Sequence, residues 1–351
     1  MAAPVLHLFG SPTSDFWCDL SLTYARGAYG ALSDENDFLN VLMTPDGCWR
    51  VSHDLPPERM MQIAPIPPGE AIAWILDAAP DCGLPQMFCH AGMTDYRGLI
   101  EALGVPIIGN SAQVMGLAAD KALTRAIMRD AGVRLPEGEV LREGERPTLP
   151  APFIVKPAIA DNSEGVALVE RPAAVNEALE AAFAICDRVI TETFIPPGRE
   201  VRCGVVELDG RAVPLPLEEY AINAETHPIR LPQDKIDAGE PGDLKLMAKT
   251  KTATWIVPDS DPVTGPVQEI ALRCHAALGA RDYSLFDFRI DPDGTPYFLE
   301  AGPYCSFSPD SVLAVMMDAA GTPLPEFFAA LRRQASARAP LSTACSTYRN
   351  A

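Results

Sequence analysis

Short apolar segments alternate with helix-like segments along the first third of the chain. The strand-like segments are 4–10, 84–89 and 105–110, and the helix-like segments are 19–32, 71–79 and 98–104. Pro80 and Gly104 follow or close two of these helices, as residues of these types commonly do. Strands that alternate with helices pack as a parallel sheet covered by helices. The pattern therefore predicts a doubly wound α/β domain over residues 1–110.

The next two hundred residues or so have a different order of elements, in which strands follow one another more often. Helices are predicted over 114–131, 175–186 and 267–279, and strands over 152–157, 165–170, 188–195 and 200–220. Asp209-Gly210 interrupts the last strand and favours a hairpin turn. The segment 221–262 is polar and rich in Pro, Gly, Asp and Lys, and a segment of that length is typical of a functional lid.

Composition narrows the class of protein. The chain has 351 residues, 48% of them hydrophobic, and its net charge is −19 from 28 Lys and Arg against 47 Asp and Glu. Such a surface argues against binding to nucleic acid or anionic membrane, which require clustered cations. The nine cysteines show no CxxC pair, and no apolar run is long enough for a transmembrane helix. We therefore expect a cytoplasmic protein of two or three domains with reduced thiols.

A hairpin over 284–302, turning at Asp293-Gly294, carries the strongest chemical signal. Asp287 and Glu300 lie on its two strands at similar distances from the turn, and each interrupts an apolar run. Two facing carboxylates repel unless a cation lies between them, and hard oxygen ligands favour Mg²⁺. A pair of exposed carboxylates on a solvated sheet face is an equally good interpretation of the hairpin alone.

Two further motifs carry charged residues at strand ends. Lys156 ends the strand 152–157 and precedes a polar loop that contains Ser163, an arrangement suited to a phosphate. Glu192 and Glu200 flank a Pro-Pro-Gly corner, where a carboxylate can accept hydrogen bonds from an adenine amine or a ribose. Taken singly, each of these residues is more typical of an ordinary surface position.

In combination and in this order, the motifs resemble the ATP-grasp fold, in its D-alanine:D-alanine ligase branch. FIVKP and NSEGV resemble the phosphate-loop strands, ITETFIPPGRE the adenine and ribose strand, and FDFRIDPDGTPYFLEAG the magnesium hairpin. The resemblance implies an α/β (α+β) ATP-grasp fold. Its parts would be a preATP-grasp domain at 1–110, a central subdomain at 111–190, a C-terminal subdomain at 191–335 and a tail at 336–351.

The same resemblance implies the cofactors ATP and Mg²⁺, small-molecule substrates and a homodimer. It places Lys121, Lys156 and Ser163 at the nucleotide phosphates. It also places Glu192 and Glu200 at the adenosine, and Asp287 and Glu300 at the metal. Lys235, in the lid, would reach the terminal phosphate.

The chain departs from the family pattern on the acceptor side. Leu285 stands where the family has an arginine two residues before the metal aspartate, and Gly302 replaces the asparagine of Glu-x-Asn. The N-terminal His-Gly and Glu-Asp-Gly signature is absent from 87–98. Because Arg289 shares a strand face with Leu285 and Asp287, we hypothesise that it supplies the missing cation. Arg289, Lys235 and Ser163 are thus the candidate catalytic residues.

Five stretches resemble the ligases of mycosporine-like amino acid biosynthesis. They are 10–26, 84–97, 200–210, 215–220 and 284–309. This resemblance implies that an amino acid is attached to the cyclohexenone of mycosporine-glycine. The candidate substrate residues are Asp15, Gly302 and Ser311. Ser311 begins a helix whose N-terminus favours a carboxylate, and a plain helix cap is nearly as good an interpretation.

Three alternatives remain. The first is a D-alanine:D-alanine or other dipeptide ligase, against which Leu285 and Gly302 weigh without excluding it. The second is a nucleotide-binding regulatory protein, although a site without turnover is expected to lose charges that are costly to bury. The third is a thiol-dependent enzyme that uses Cys203 or Cys305, although buried cysteines usually serve as packing.

Overall fold

The N-terminal sheet has four strands in the order β3-β2-β1-β4. The computed structural model describes residues 3–160, 163–222, 228–229, 237–238, 244–245 and 253–338. The elements of the first part are β1 (Val5–Gly10), α1 (Asp15–Leu32), β2 (Phe38–Met43), β3 (Trp49–Ser52), α2 (Pro68–Ala78), β4 (Cys82–Pro85) and α3 (Arg97–Ala102). A 3₁₀ turn (Pro57–Gln62) and a π-helical turn (Gly92–Tyr96) lie between them. β1 pairs in parallel with β2 and β4, whereas β3 is antiparallel to β2.

This sheet differs from the predicted parallel sheet in three places, one of which is β3, a strand that was not predicted and that is antiparallel to β2. The strand predicted at 105–110 is reduced to an isolated bridge between Gly83 and Ile107. In contrast, β2 was not predicted, because all six of its residues are buried and its sequence shows no alternation. Strands covered on both faces typically have such continuous apolar sequences, which periodicity alone does not separate from helices.

The helix predicted at 114–131 consists of two helices, α4 (Ala112–Ala119) and α5 (Lys121–Asp130). Asp120 separates them with an extended backbone (φ −94°, ψ 99°), and its carboxylate accepts hydrogen bonds from the N–H groups of Ala122 and Leu123. An aspartate that caps the following helix breaks an apolar pattern that would otherwise continue. The break places Lys121 at the first turn of α5.

The central sheet is antiparallel, in the order β5-β8-β6-β7. Its elements are β5 (Gly138–Arg142), β6 (Phe153–Pro157), β7 (Ala167–Val169), α6 (Val175–Phe183) and β8 (Arg188–Thr193). α6 packs its buried face, which includes Leu179 and Ala182, against the sheet. β8 crosses the predicted boundary at residue 190, and the domain boundaries themselves stay predictions.

The C-terminal sheet has the order β14-β11-β9-β15-β16, with β10 beside β9. Its strands are β9 (Arg199–Leu208), β10 (Arg211–Pro214), β11 (Glu218–Tyr220), β14 (Thr254–Ile256), β15 (Tyr283–Ile290) and β16 (Pro296–Ala301). β12 (Asp237–Ala238) and β13 (Leu244–Lys245) form a separate short ladder. Three helices complete this part, α7 (Thr264–Leu278), α8 (Val312–Ala319) and α9 (Leu324–Ser336).

One hydrophobic core joins this sheet to the N-terminal part. Phe327, Phe328 and Leu331 of α9 pack in the same cluster as Val5 and Phe38 of the first sheet. A second core lies between α7 and the inner face of β9 and β15. None of the helices within the described residues is both long and apolar enough to cross a bilayer.

Candidate active site

The hairpin β15–β16 brings Asp287 and Glu300 directly opposite each other in register. The Asp287 carboxylate accepts two hydrogen bonds from Arg202, from Nε at 2.6 Å and from Nη2 at 2.9 Å. The Glu300 carboxylate lies 3.2 Å from the Nζ atom of Lys121. The two carboxylates therefore face each other as their distances from the turn predict, and each is balanced by a cation.

Two charged rows cross the sheet at this point. In the first row Glu200 of β9 stands opposite Arg289 of β15, and in the second Arg202 stands opposite Asp287. Arg289 donates from Nη2 to Glu200 at 2.8 Å and from Nη1 to the Pro228 carbonyl at 3.0 Å. The order of charge on the two strands is thus reversed from one row to the next. Because successive residues of the same face differ by two positions, both rows lie on one side of the sheet.

A cavity of about 120 Å³, which we call the nucleotide cavity, lies over the first row. The predicted site residues that line it are Lys121, Lys156, Ser163, Glu192, Glu200, Asp287, Arg289 and Glu300. The structure therefore brings together eight residues predicted from four separate motifs. Lys235 lies outside the described residues, so its predicted role stays a prediction.

Glu192 holds two buried cations in the wall of this cavity. Its carboxylate lies 2.6 Å from the Nζ atom of Lys156 and 2.6 Å from Nη1 of Arg125. Burial lowers the pKa of Arg125, and the charge of Glu192 acts in the opposite direction. Sequence reasoning missed Arg125, which is one of several polar residues of α5 and carries no signal of its own. Glu192 thereby fixes Lys156 in the cavity, and its predicted contact with adenosine stays a prediction.

Lys121 lines this cavity beside Glu300. Its ammonium group donates to the carbonyl of Ala160, in the loop that follows β6. The preceding Asp120 accepts a hydrogen bond of 2.5 Å from Arg188 of β8. The cap of α5 and the central sheet therefore position this lysine together.

A second cavity of about 380 Å³, which we call the acceptor cavity, is also lined by Asp287 and Glu300. Its lining includes Trp17, Tyr24, Phe88 and Tyr304. The rings of Tyr24 and Phe88 meet edge to face at 5.1 Å, and those of Phe88 and Tyr304 at 6.0 Å. Burial raises the pKa of Tyr24 to about 12, so its phenol is protonated at neutral pH. The cavity therefore has an aromatic wall that faces a charged row.

The predicted substrate residues occupy different positions. Ser311 lines the acceptor cavity and also caps α8, since its hydroxyl accepts from the N–H of Ala314 at 3.3 Å. Gly302 lines the same cavity and donates from its N–H to the Leu285 carbonyl at 2.8 Å. Asp15 is exposed in the first turn of α1 and lines neither cavity. The sequence near Asp15 contributes Trp17 instead.

The loop that carries Ser306 rests on a buried polar network. Gln86 donates from Nε2 to the Ser306 carbonyl, and its side-chain oxygen lies 2.7 Å from Nε2 of His7. Nδ1 of His7 lies 2.8 Å from the Asn40 side-chain oxygen. Burial lowers the pKa of His7 to about 4, against the opposite effect of these two hydrogen bonds. The network is therefore neutral at physiological pH and ties the first sheet to the acceptor cavity.

Arg289 and Cys203 were both predicted as candidate reactive groups. Arg289 lines the nucleotide cavity and is absent from the described lining of the acceptor cavity, and its role as the missing cation stays a prediction. Cys203 is fully buried and lines neither cavity, and burial raises the pKa of its thiol. Arg202 was missed, although its two-residue spacing from Glu200 was a usable signal for the same strand face.

The carboxylates fit the magnesium that the resemblance implies. Asp287 and Glu300 are hard oxygen donors, they lie in register, and both line both cavities. Within the described residues no group of three or more His, Cys, Asp or Glu is close enough to hold a metal ion. Mg²⁺ commonly completes its coordination with phosphate oxygens and water, so two protein carboxylates are enough.

The chain is similar to proteins of one known family. The family described as "D-ala D-ala ligase C-terminus" matches residues 126–331. A D-alanine–D-alanine ligase of Citrifermentans bemidjiense is 31% identical over 244 residues, which cover 68% of this chain and 73% of that protein. The chain belongs to the D-alanine–D-alanine ligase family.

Solved structures agree with this membership at the level of the fold. The D-alanine–D-alanine ligase of Coxiella burnetii superposes with a TM-score of 0.73 at 18% identity, covering 95% of each chain. That of Bacillus anthracis, complexed with ATP, gives a TM-score of 0.68 at 20% identity over 95% of this chain and 97% of that one. The predicted α/β ATP-grasp fold is confirmed. Family membership also confirms the prediction of an ATP-dependent ligase that forms carbon–nitrogen bonds and uses Mg²⁺.

Proposed function

We propose that this D-alanine–D-alanine ligase family member joins the amine of an amino acid to an acceptor bound in the acceptor cavity. The observation that carries the proposal is the position of Lys121, Asp287 and Glu300, which line both cavities. ATP in the nucleotide cavity would present its terminal phosphate to these residues. An acceptor on the other side would then meet that phosphate at the boundary between the cavities.

The reaction proceeds in two steps. The terminal phosphoryl group leaves ADP and bonds to an acceptor oxygen, which becomes a good leaving group. The amine nitrogen then attacks the adjacent carbon, the carbon–oxygen bond breaks, phosphate leaves with the acceptor oxygen, and the amine loses a proton. The protein contributes positioning and electrostatics rather than a covalent nucleophile.

Named side chains have separate tasks in this scheme. Lys156, fixed by Glu192, and Lys121, near Glu300, bind phosphate oxygens. Asp287 and Glu300 would hold Mg²⁺, which supplies charge neutralisation at the phosphates when it is bound. Ser163, which lines the nucleotide cavity, would contact the phosphates through its loop. The predicted lid at 221–255, most of which lies outside the described residues, would exclude water from the phosphorylated acceptor.

The first candidate acceptor is an amino-acid carboxylate, which would make the chain a dipeptide ligase. The relatives that support this candidate are named D-alanine–D-alanine ligases in several bacteria. The chain is also 30% identical, over 65% of each chain, to the vancomycin B-type resistance protein VanB of Enterococcus faecalis. The relatives of this chain therefore include a protein with a different name. The homodimer that the resemblance implies stays a prediction.

The second candidate acceptor is the cyclohexenone of mycosporine-glycine. The aromatic wall of Trp17, Tyr24, Phe88 and Tyr304 favours it, because a planar ring gains more from such a wall than alanine does. Leu285 and Gly302, which replace polar residues of the family pattern, line the same cavity and favour it too. The chemistry of phosphorylation and displacement is the same for a carboxylate and for an enolised ketone.

Product formation tests the proposal. Purified protein with Mg-ATP and a pool of amino acids would receive either D-alanine or mycosporine-glycine, and mass spectrometry would follow the products. A D-alanyl dipeptide supports the first candidate, and an amino-acid adduct of mycosporine-glycine with red-shifted absorbance supports the second. Binding of ATP without any ATP-dependent product from either acceptor would contradict the proposal and favour a regulatory protein.

A further inference from the structure

Arg202 lines the acceptor cavity and not the nucleotide cavity. Among the described residues that line this cavity, Lys121 and Arg202 are the lysine and arginine side chains. Lys121 also lines the nucleotide cavity, whereas Arg202 does not. Within the described part of the chain, the lysine or arginine that lines the acceptor cavity alone is therefore Arg202.

The sheet holds Arg202 in a row of four charged residues. The row runs from Glu218 of β11 through Arg202 and Asp287 to Glu300, each opposite the next in register. The guanidinium packs over the ring of Tyr220 at 5.1 Å. Nε and Nη2 bind Asp287, and Nη1 has no hydrogen-bond partner among the residues that the structure describes. Asp287 thus fixes the guanidinium edge that carries Nε and Nη2, and Nη1 is left to donate to a ligand.

Arg202 also lies close to the position whose arginine is missing. Leu285 shares a strand face with Asp287, and Arg202 is directly opposite Asp287 on the neighbouring strand. Diagonal neighbours on adjacent strands are about 7–8 Å apart, within reach of a long side chain. An arginine at 202 therefore covers the same region of the cavity as an arginine at 285 would.

We propose that Arg202 is a catalytic residue, which binds the acceptor oxygen and stabilises the negative charge that develops there. This inference rests on the proposed ligase function. The charge develops on the same oxygen whether the acceptor is a carboxylate or an enolised ketone. Fixed donors in a partly buried site act strongly on such a charge, and removing one typically lowers turnover by about 10²–10³-fold. Arg289, in the other row, is assigned to the nucleotide.

The test compares Arg202→Gln and Arg202→Lys with Arg289→Gln and with Arg211→Gln, an exposed arginine of β10 that lines neither cavity. We expect Arg202→Gln to lower kcat by about 10²-fold or more, with KM for ATP within about threefold of the unsubstituted protein. Arg202→Lys should retain more turnover. Arg289→Gln should instead raise KM for ATP, and Arg211→Gln should change neither constant. Thermal melting would establish that each variant folds.

Two further measurements separate catalysis from support of the metal site. The concentration of Mg²⁺ for half-maximal activity should be the same with and without Arg202, because the inference assigns it to the acceptor. Leu285→Arg in the Arg202→Gln background should restore part of kcat. A shifted Mg²⁺ requirement that accounts for the loss, or a kcat within threefold of normal in Arg202→Gln, would overturn the inference while leaving the ligase function intact. Absence of any product from the unsubstituted protein would overturn the proposed function, and this inference with it.

Discussion

The nucleotide cavity and the acceptor cavity are built by different means although the hairpin carboxylates Asp287 and Glu300 line both. On the nucleotide side, Lys156, Glu192, Glu200 and Arg289 come from regular strands, and each side chain is less than 10% exposed. On the acceptor side, Phe88, Tyr304 and Ser306 come from connecting segments outside the named strands and helices. Regular strands therefore fix the charges on the nucleotide side. Connecting segments are free to vary, so substrate choice belongs to the acceptor side.

The charge pattern differs as well. Buried ion pairs on the nucleotide side satisfy one another before any ligand arrives, as the cluster of Arg125, Glu192 and Lys156 illustrates. On the acceptor side the side chain of Arg202 is 20% exposed and that of Glu300 is 36% exposed. The side chains of Arg202 and Glu300 are thus less enclosed than the ion pairs of the nucleotide side.

The largest expected effect comes from Asp287 and Glu300, the hairpin carboxylates that line both cavities. Asp287→Asn and Glu300→Gln keep the size of each side chain and remove its charge, so both phosphate neutralisation and acceptor activation should fail. We expect kcat to fall by about 10³-fold, and affinity for a non-hydrolysable ATP analogue with Mg²⁺ to weaken. Steady-state kinetics and calorimetry would measure these changes. Glu269→Gln, at an exposed position of α7, is the matched control, and a variant at 287 with normal turnover would contradict the shared site.

Removal of Glu192 tests whether its buried ion pairs with Arg125 and Lys156 stabilise the protein. Glu192→Ala leaves the guanidinium of Arg125 and the ammonium of Lys156 unpaired in a buried place. Loss of one partner from a buried ion pair typically lowers the free energy of unfolding by about 3–5 kcal/mol. Chemical denaturation would show this loss, and Glu177→Gln on the exposed face of α6 should leave stability unchanged. Equal stability of Glu192→Ala and the unsubstituted protein would show that these pairs do not support the cavity.

Acid should lower the free energy of unfolding through His7, which supports the acceptor cavity. The pKa of this buried imidazole is lowered to about 4, so the unfolded chain binds a proton between about pH 6.5 and 4 that the folded protein does not. Stability is fully present above that range and is lost as the pH falls, by about 3 kcal/mol in total. Denaturation at several pH values should give a shallower slope for His7→Gln. The exposed His53→Gln should not change the slope, and the same slope in both variants would exclude His7 as the source.

The smallest effect concerns the aromatic wall. Phe88→Ala removes the ring that meets both Tyr24 and Tyr304, so the acceptor loses apolar contact. We expect KM for the acceptor to rise by about tenfold, which corresponds to about 1.4 kcal/mol, while KM for ATP is unchanged. Kinetics with each substrate varied in turn would separate the two constants. A rise in KM for ATP alone would mean that the two cavities are not divided as described.

How much was predictable differs between the two cavities for physical reasons. Asp287 and Glu300 were accessible to sequence reasoning, because a hairpin turn and two interrupted apolar runs fix their relation. The break at Asp120 was not, since an aspartate within a continuing helical pattern has the same appearance whether or not it caps a new helix. Phe88 and Tyr304 meet across more than two hundred residues of chain, and no local pattern predicts that contact. Arg202 is an intermediate case. Its spacing from Glu200 predicts its strand face, but no sequence pattern predicts its pairing with Asp287.

The central claim is that an acceptor in one cavity takes a phosphoryl group from ATP in the other. The fate of the acceptor oxygen tests this claim most directly. The acceptor, D-alanine or mycosporine-glycine, would carry ¹⁸O in its carboxylate or ketone, and the inorganic phosphate released with product would be analysed by mass spectrometry. The account predicts one labelled oxygen in the phosphate for each carbon–nitrogen bond formed. Product accompanied by unlabelled phosphate would contradict it, because the acceptor oxygen would then never have been phosphorylated.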